Sequence, residues 1–496
     1  MDTVFTGTPI SNNTTGAWPI ANERQQLLAM LRQATQQATQ SDHPVLISFT
    51  QSVVPCHPLR IFHAFKLLNI GDRFYWELPV EQRTLVGVGT ATMIETNGPN
   101  RFTTTSTVWR HLQQHTLVNN TQEDLPENLQ GPALIGGFAF DPEHPRTALW
   151  EGFPDGLLVV PYLLFRTEEE SATLTINKLI QKADDIEQCA AEMHQHMQQL
   201  RLTIESTSEA QLLANDDINI QFTTHDLLPA QTWKALVAST VAKIRAGDYQ
   251  KVVLARSIQA SSEETPFNIE ITLSRLRVSY PGAYVFALQR GERYFVGATP
   301  ERLLRTSDGQ IQTMALAGSA PRGNSEEEDE QLDLELLQSA KNQGEHAIVV
   351  TMIREALAHY CSQVWVSDKP QLLRLKNIQH LQTPIIGKLL PGKSILDAIG
   401  ELHPTPAVGG FPRETALAEL REFEQLDRGW YAGPIGWINA NGNGEFAVAL
   451  RSALVDEAQA TLFAGGGIVA DSQPESEYAE TCWKFAVMLR GLGGGD

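Results

Sequence analysis

Cysteine is scarce: Cys56, Cys189, Cys361 and Cys482 are the four in 496 residues, widely spaced and forming no CxxC pair. Their spacing argues against a zinc ribbon or a disulfide framework and implies reduced, buried thiols. Long apolar runs are missing as well. No stretch reaches the roughly 18 residues needed to cross a bilayer, and the polar start MDTVFTGTPISNN lacks the basic and apolar regions of a secretory signal. A cytoplasmic protein with no membrane partner is expected. Basic residues are outnumbered, with 38 Lys and Arg against 58 Asp and Glu and a formal charge of −20. This disfavours nucleic acid and anionic membranes as partners. An anionic substrate would need a local cluster of Lys, Arg or metal to offset the global field. No heptad seam appears, so monomer and homodimer both stay open. Gly87 and Gly89 form a GxG with no third glycine opening a helix, which argues against a dinucleotide site. His194 and His196, two apart on an expected helix, face different sides and make a poor metal pair.

Three regions are expected in the chain. Residues 1–20 are polar and should fray. Residues 21–226 read as a strand-rich lobe and connector. A helix runs from Asn22 to about Gln40, strands follow over Val45–Val53, Arg73–Leu78 and Leu85–Thr92, and Ala133–Asp141 and Gly156–Phe165 are apolar enough to be central strands of one sheet. Pro161 belongs at a bulge or an edge. A helical pattern from Lys182 to about Leu202 gives way to a polar connector, Ser206–Asp226. Residues 227–496 carry nearly all the reactive side chains.

In that last region an amphipathic helix, Pro229–Ala246, presents Trp233, Val237, Val241 and Ile244 as its buried stripe. The strand Tyr249–Ile258 then puts Lys251, Val253 and Ala255 on one face, where a lysine meets either solvent or a pocket. Tyr294–Leu304 is a buried strand that turns before Glu301. Ile311–Gly323 ends in a small-residue turn whose N–H groups can bind a carboxylate. The helical stretch Gln331–Tyr360 sets Glu345 on the face of Ile348, Val349 and Met352. HPTPAVGGFPR, from His403 to Arg413, is a shaped loop. In the expected strand Phe446–Leu454, Arg451 faces the same way as Ala447 and Ala449, leaving room for a ligand carboxylate beside its guanidinium.

The last of these stretches, GGGIVADSQPESEYAETCWK over Gly465–Lys484, has three glycines that let the main chain approach a ligand closely. A helix starts near Gln473 and Pro474, with Glu477, Glu480 and Lys484 on one face beside Trp483 and Val487. Carboxylates on an apolar stripe need a salt bridge, an outward rotation of the helix or a bound cation. The simplest resolution pairs Glu480 with Lys484. Alternatively, the helices bearing Glu345 and Glu480 can bring two carboxylates to one Mg²⁺.

KVVLAR, GATPERLL, ALAGSAPRG, EHAIVV, LHPTPAVGG, ALRSA and GGGIVADSQPESEYAET occur in the order found in chorismate-utilising enzymes. That group contains isochorismate synthases, salicylate synthases and the large subunits of anthranilate and aminodeoxychorismate synthases. The motif-bearing likeness spans Pro229–Leu492. It implies an α+β fold with a large, mostly antiparallel β-sandwich core surrounded by helices and a central cleft, residues 227–496 sharing one core with the N-terminal lobe. It implies Lys251 as general base activating water and Glu301 as general acid, which must hold its proton. It also implies Mg²⁺ held by Glu345 and Glu480 with Glu477 close behind, and a pocket for chorismate lined by Gly318, Ser319, Ala407, Arg451, Gly465 and Lys484.

Members that use water resemble this chain in having a lysine at 251, where aminating members have glutamine, so no obligatory glutamine amidotransferase is expected. HPTPAVGG is similar to the loop of isochorismate synthases; salicylate synthases usually depart from it after HP. Asn342 departs from an acidic residue found in many relatives three positions before the metal-binding glutamate. The implied activity is that of an isomerase making isochorismate from chorismate, feeding menaquinone or siderophore biosynthesis. A salicylate synthase, an aminating subunit and a catalytically silent partner subunit are the alternatives.

Overall fold

In the computed structural model, residues 23–119, 125–207, 220–263, 265–323, 325–374 and 378–494 are described, without the side chains at 319, 341, 345 and 378. The expected frayed start, residues 1–20, lies outside them. Among the described residues, two sheets of thirteen and ten strands carry the fold. Both are antiparallel except where Val45–Ser52 pairs parallel with Thr116–Val118. Each sheet is built from both halves of the chain. The larger joins them where Tyr284–Arg290 pairs with Arg73–Leu78, Leu288 opposite Phe74. The smaller joins them where Pro434–Asn439 pairs with Ala133–Phe138, Trp437 opposite Ile135.

Period-two alternation assigns the faces. Phe74, Trp76, Tyr284, Phe286 and Phe295 from the larger sheet share one hydrophobic core with Ile135, Phe138, Ile435 and Phe446 from the smaller. Their neighbours Tyr75, Val285, Ala287 and Val296 point the other way, into a second core closed by the helices Pro58–Leu68, Ile269–Ser279 and Pro474–Leu492. The result is a two-sheet sandwich with helices outside it. No helix among the described residues is long and apolar enough to cross a membrane.

Several expected boundaries move, and the reason recurs. Gly156–Phe165 is not one strand: Gly156–Val160 lies in the smaller sheet and Leu163–Glu168 in the larger, the chain changing sheets at Pro161. Proline cannot donate to a ladder, so it marks the crossing. Leu85–Thr92 is divided as well, into Arg83–Val88 of the larger sheet and Thr92–Thr96 of the smaller, with Gly89 at φ +67° between them. The expected connector ends in a strand, Phe222–Asp226, paired with residues 258–262. Gln331–Tyr360 is two helices, Glu326–Gln338 and Ala340–Ala358, parted at Ser339, whose hydroxyl caps the second. Cys189 and Cys361 are buried, but Cys56 is half-buried and Cys482 is exposed beside Trp483.

One charge is sealed between the sheets. Glu445 is fully buried; Tyr284 donates to its Oε1 at 2.8 Å, and Arg302 and Arg83 lie 3.1 and 3.0 Å from its two oxygens. Removing one partner of such a group strands the others without compensation. Glu445→Ala should therefore cost roughly 3 kcal/mol, read as a lower urea unfolding midpoint; a midpoint equal to that of the unaltered protein would contradict this.

Candidate active site

Glu301 and Arg451 stand where the chain crosses between the sheets. Arg293–Thr299 belongs to the larger sheet and Arg302–Ser307 to the smaller, while Gly444–Val448 belongs to the smaller and Ser452–Asp456 to the larger. The crossings lie side by side. Val448 N–H donates to the Glu301 carbonyl at 2.9 Å, and Ala298 N–H donates to the Arg451 carbonyl at 3.1 Å. The expected straight strand Phe446–Leu454 is therefore broken, with Arg451 at φ +49°. A non-glycine residue in this region is held there by its surroundings.

Beside the crossings runs the glycine stretch. Strand Gln459–Ile468 pairs along its whole length with Lys251–Ser262, and its residues 459–463 pair with Ser452–Asp456. A Cβ at position 467 would lie 2.9 Å from Lys251 Cε, and one at 466 would lie 3.1 Å from Glu477 Oε2. Glycine at both positions lets the lysine and the carboxylate lie close against this backbone. Lys484 Nζ donates to the Gly465 carbonyl at 2.6 Å and pairs with Glu480 Oε1 at 2.6 Å. The i,i+4 pair expected from the spacing is present.

The helix Pro474–Leu492 is rotated relative to the expected stripe. It buries Thr481, Phe485, Met488 and Leu492, and Trp483 points to solvent, 74% exposed. Arg256 accounts for this. It stacks on Tyr478 and Phe485 and donates to Thr481 Oγ1 at 2.7 Å, fixing that face inward. Glu477, Glu480 and Lys484 are left half-buried on the flank that meets the glycine stretch.

The charges of these groups act on one another. Burial raises the Glu301 carboxyl above its ordinary value, and the charges of Lys251, Arg451 and Lys484 act on it in opposition. Burial lowers Lys484, with Arg451 pushing the same way against Glu480. Burial lowers Arg451 too, against the charges of Tyr431, Glu480 and Glu301. Burial raises Glu477 and its neighbour Glu480 adds to the shift. A carboxyl raised by burial thus faces Lys251, Arg451 and Lys484.

The remaining expected residues fall around this group. Ala407 and Glu301 line one cavity of about 430 Å³, open to solvent, with Leu316, Val349 and Thr405. Gly318, at φ +75°, forms a bulge in Gln310–Pro321, and position 319 lies opposite His380. Position 345 is on the helix Ala340–Ala358, next to His346, whose ring is anchored to Ala317 O at 3.2 Å and Thr383 Oγ1 at 2.7 Å. The side chains of Ser319 and Glu345 lie outside the described residues. Asn342 packs its Cβ 3.1 Å from where a Cβ at Gly318 would be, and its amide donates to Ser339 Oγ at 3.0 Å.

Sequence reasoning missed two residues of the site. Burial lowers His380, and Lys484 and Arg451 add to the shift, which places the ring beside them. Tyr431 stacks on Phe463 at 5.3 Å with its hydroxyl 3.3 Å from the missing Cβ of Gly465, and burial pushes it up to about 12. The polar run around His380 within a strand is its only trace in the sequence.

The donor set suits a hard cation. Among the described residues no group of three or more His, Cys, Asp and Glu side chains is placed to hold a metal. Glu477 and Glu480 do offer two carboxylates one helical turn apart, Glu480 acting on Glu477 as a like charge, and such oxygen donors match Mg²⁺.

Glu301 also links the site to stability. A carboxyl raised in the folded state binds its proton more tightly there than in the unfolded chain. Its contribution to stability therefore falls as pH rises above the ordinary value of 4.5. Glu301→Gln should raise the thermal midpoint at pH 7, by an amount that shrinks toward pH 4, while turnover is lost. Equal midpoints at pH 7 would contradict the assignment.

The model of the family described as chorismate binding enzyme matches residues 33–493. The chain is 38% identical over 464 residues to the isochorismate synthase MenF of Bacillus subtilis, covering 93% of this chain and 96% of that one. It is 36% identical over 487 residues to the salicylate biosynthesis isochorismate synthase of Pseudomonas aeruginosa, with 96% and 97% covered. Among solved structures, the menaquinone-specific isochorismate synthase of Escherichia coli superposes with a TM-score of 0.71 at 26% identity, covering 93% of this chain and 99% of that one. With a matching model along nearly its whole length and relatives alike over both halves, the chain belongs to the chorismate binding enzymes.

Proposed function

We propose that this chain is an isochorismate synthase, an isomerase that converts chorismate to isochorismate. The observation that carries the reading is the convergence of Lys251, Arg451 and Lys484 on a half-buried Glu301 whose carboxyl is raised above its ordinary value. The near-full-length relatives named as isochorismate synthases support it.

Chorismate brings two carboxylates, and Arg451 and Lys484 supply the positive charge to hold them. Lys251, laid across Gly467, takes a proton from water as the oxygen attacks C2 of the ring. The ring double bonds shift, the C4–O bond breaks, and Glu301 gives its proton to the departing hydroxyl, which leaves as water. One water enters and one leaves, and the proton gained by Lys251 returns through solvent to Glu301. Glu477, Glu480 and Glu345 would hold Mg²⁺, which when bound withdraws electron density through a substrate carboxylate. We place the enzyme in the cytoplasm, acting without an amidotransferase, because Lys251 serves water and not ammonia.

Purified protein given chorismate and Mg²⁺ should yield isochorismate, resolved by liquid chromatography, and chelation by EDTA should stop it. Lys251→Ala should lower kcat by about 10²- to 10⁴-fold while the protein stays folded. Salicylate with pyruvate as the main products, or a product formed only with ammonia, would overturn the reading.

A further inference from the structure

The strand that carries Lys251 has an incomplete outer edge. On one side residues 252–261 of this strand pair with Gln459–Ile468. On the other, Gly410–Phe411 covers Lys251 and Val252, and Phe222–Asp226 covers residues 258–262. Between these two short partners, among the described residues, no strand lies beside Val253 to Ser257 on this edge, yet unsatisfied backbone groups here would be costly. Loop backbone and side chains take the strand's place. Val253 N–H donates to Gly409 O at 3.0 Å, and Ser257 O accepts from Leu227 N–H at 3.2 Å. Ala255 N–H donates to Glu424 Oε1 at 2.7 Å, and Ala255 O accepts from Trp233 Nε1 at 3.3 Å. Val253 O accepts from Arg428 Nη2 at 2.5 Å.

Arg428 does more than fill the gap. Its Nη1 donates to Val408 O at 2.9 Å, in the loop next to Ala407. Its Nε and Nη2 fork onto Glu424 at 2.6 and 2.7 Å, and its guanidinium lies 4.3 Å over the ring of Phe140. Arg428 is 4% and Glu424 6% exposed, so the fork is fixed and dry. One guanidinium thus ties together two walls of the cleft. Val253 lies two residues from Lys251 on the same face of its strand, and Val408 adjoins Ala407.

We propose that Arg428, oriented by Glu424, is a positioning residue that holds the lysine strand and the Ala407 loop at a fixed separation and so sets where the Lys251 amine meets the attacking water. The inference rests on the isochorismate synthase reading. It assigns Arg428 no contact with substrate. Because Arg451 and Lys484 hold the substrate from the other side, loosening this clamp should impair the chemical step and spare binding.

Arg428→Lys keeps the charge beside Glu424 but cannot reach both carbonyls from one planar fork. Steady-state kinetics should show kcat lower by about 10- to 100-fold, with KM for chorismate within about 3-fold and the thermal transition still cooperative. Hydrogen exchange gives a readout that does not depend on the reaction. The amides of Val253 and Ala255 should exchange faster in this variant, while those of Leu254 and Arg256 on the paired edge stay protected. If Arg428→Lys fails to fold, the uncharged double variant Glu424→Gln/Arg428→Gln takes its place, with the same expectations. A folded variant with unaltered kcat, or unaltered exchange at Val253 and Ala255, overturns the proposal. So does a fall in activity that only follows the loss of folded protein. An unaltered protein that makes no isochorismate would sink the functional reading alone, leaving the exchange result to judge the clamp.

Discussion

Strand Gln459–Ile468 outlasts one of its neighbours, and the cleft depends on that mismatch. The last rung with Ser452–Asp456 is Ser452 opposite Phe463; beyond it the neighbouring chain turns away at Arg451 toward the smaller sheet. Residues 464–468 continue, paired on one edge only among the described residues. A backbone with an uncovered edge needs partners, and Lys484 supplies one by donating to Gly465 O. The same departure that opens the gap places Arg451 and, through the adjacent crossing, Glu301 at its mouth. The proposed catalytic groups are thus gathered where one strand of a sheet ends before its neighbour, and side chains are positioned by rigid strands on both sides.

A net charge of −20 would repel a dianionic substrate if it were spread evenly. It is not. Lys251, Arg451 and Lys484 are concentrated around one carboxyl that burial raises above its ordinary value, so basic groups are gathered at the cleft of an acidic protein. Two histidines act as supports in this scheme. His403, at the start of the 403–413 loop, is buried, bonded to Phe140 O at 3.0 Å, and burial pushes it down to about 3. His346 anchors the helix carrying position 345.

Much of this was legible in the residues. The ordered series from KVVLAR to GGGIVADSQPESEYAET resembled the family, and through that resemblance implied the sandwich and a site around Lys251, Glu301 and Arg451. What was not legible depends on long-range geometry. Apolar runs such as GLLVVPYLLF read as one strand, because periodicity cannot show that successive halves enter different sheets. The rotation of the helix Pro474–Leu492 was invisible because it is set by Arg256, far away in sequence. Arg428 and Glu424 lie in a stretch with no periodic pattern, and only the missing segment of strand beside Val253–Ser257 explains them. His380 sits among glutamines, with nothing local to separate it from a solvated strand.

The claim on which the chemistry stands is that the Lys251 amine, lying against the bare backbone of position 467, is the base. Steady-state turnover of Gly467→Ala measures this most directly, since the added methyl would lie 2.9 Å from Lys251 Cε and would meet little else. A fall in kcat of about 10²-fold with an unaltered unfolding midpoint is the predicted result. Full turnover in that variant would mean that the amine does not work from this position, and would contradict the assignment of Lys251 as the base.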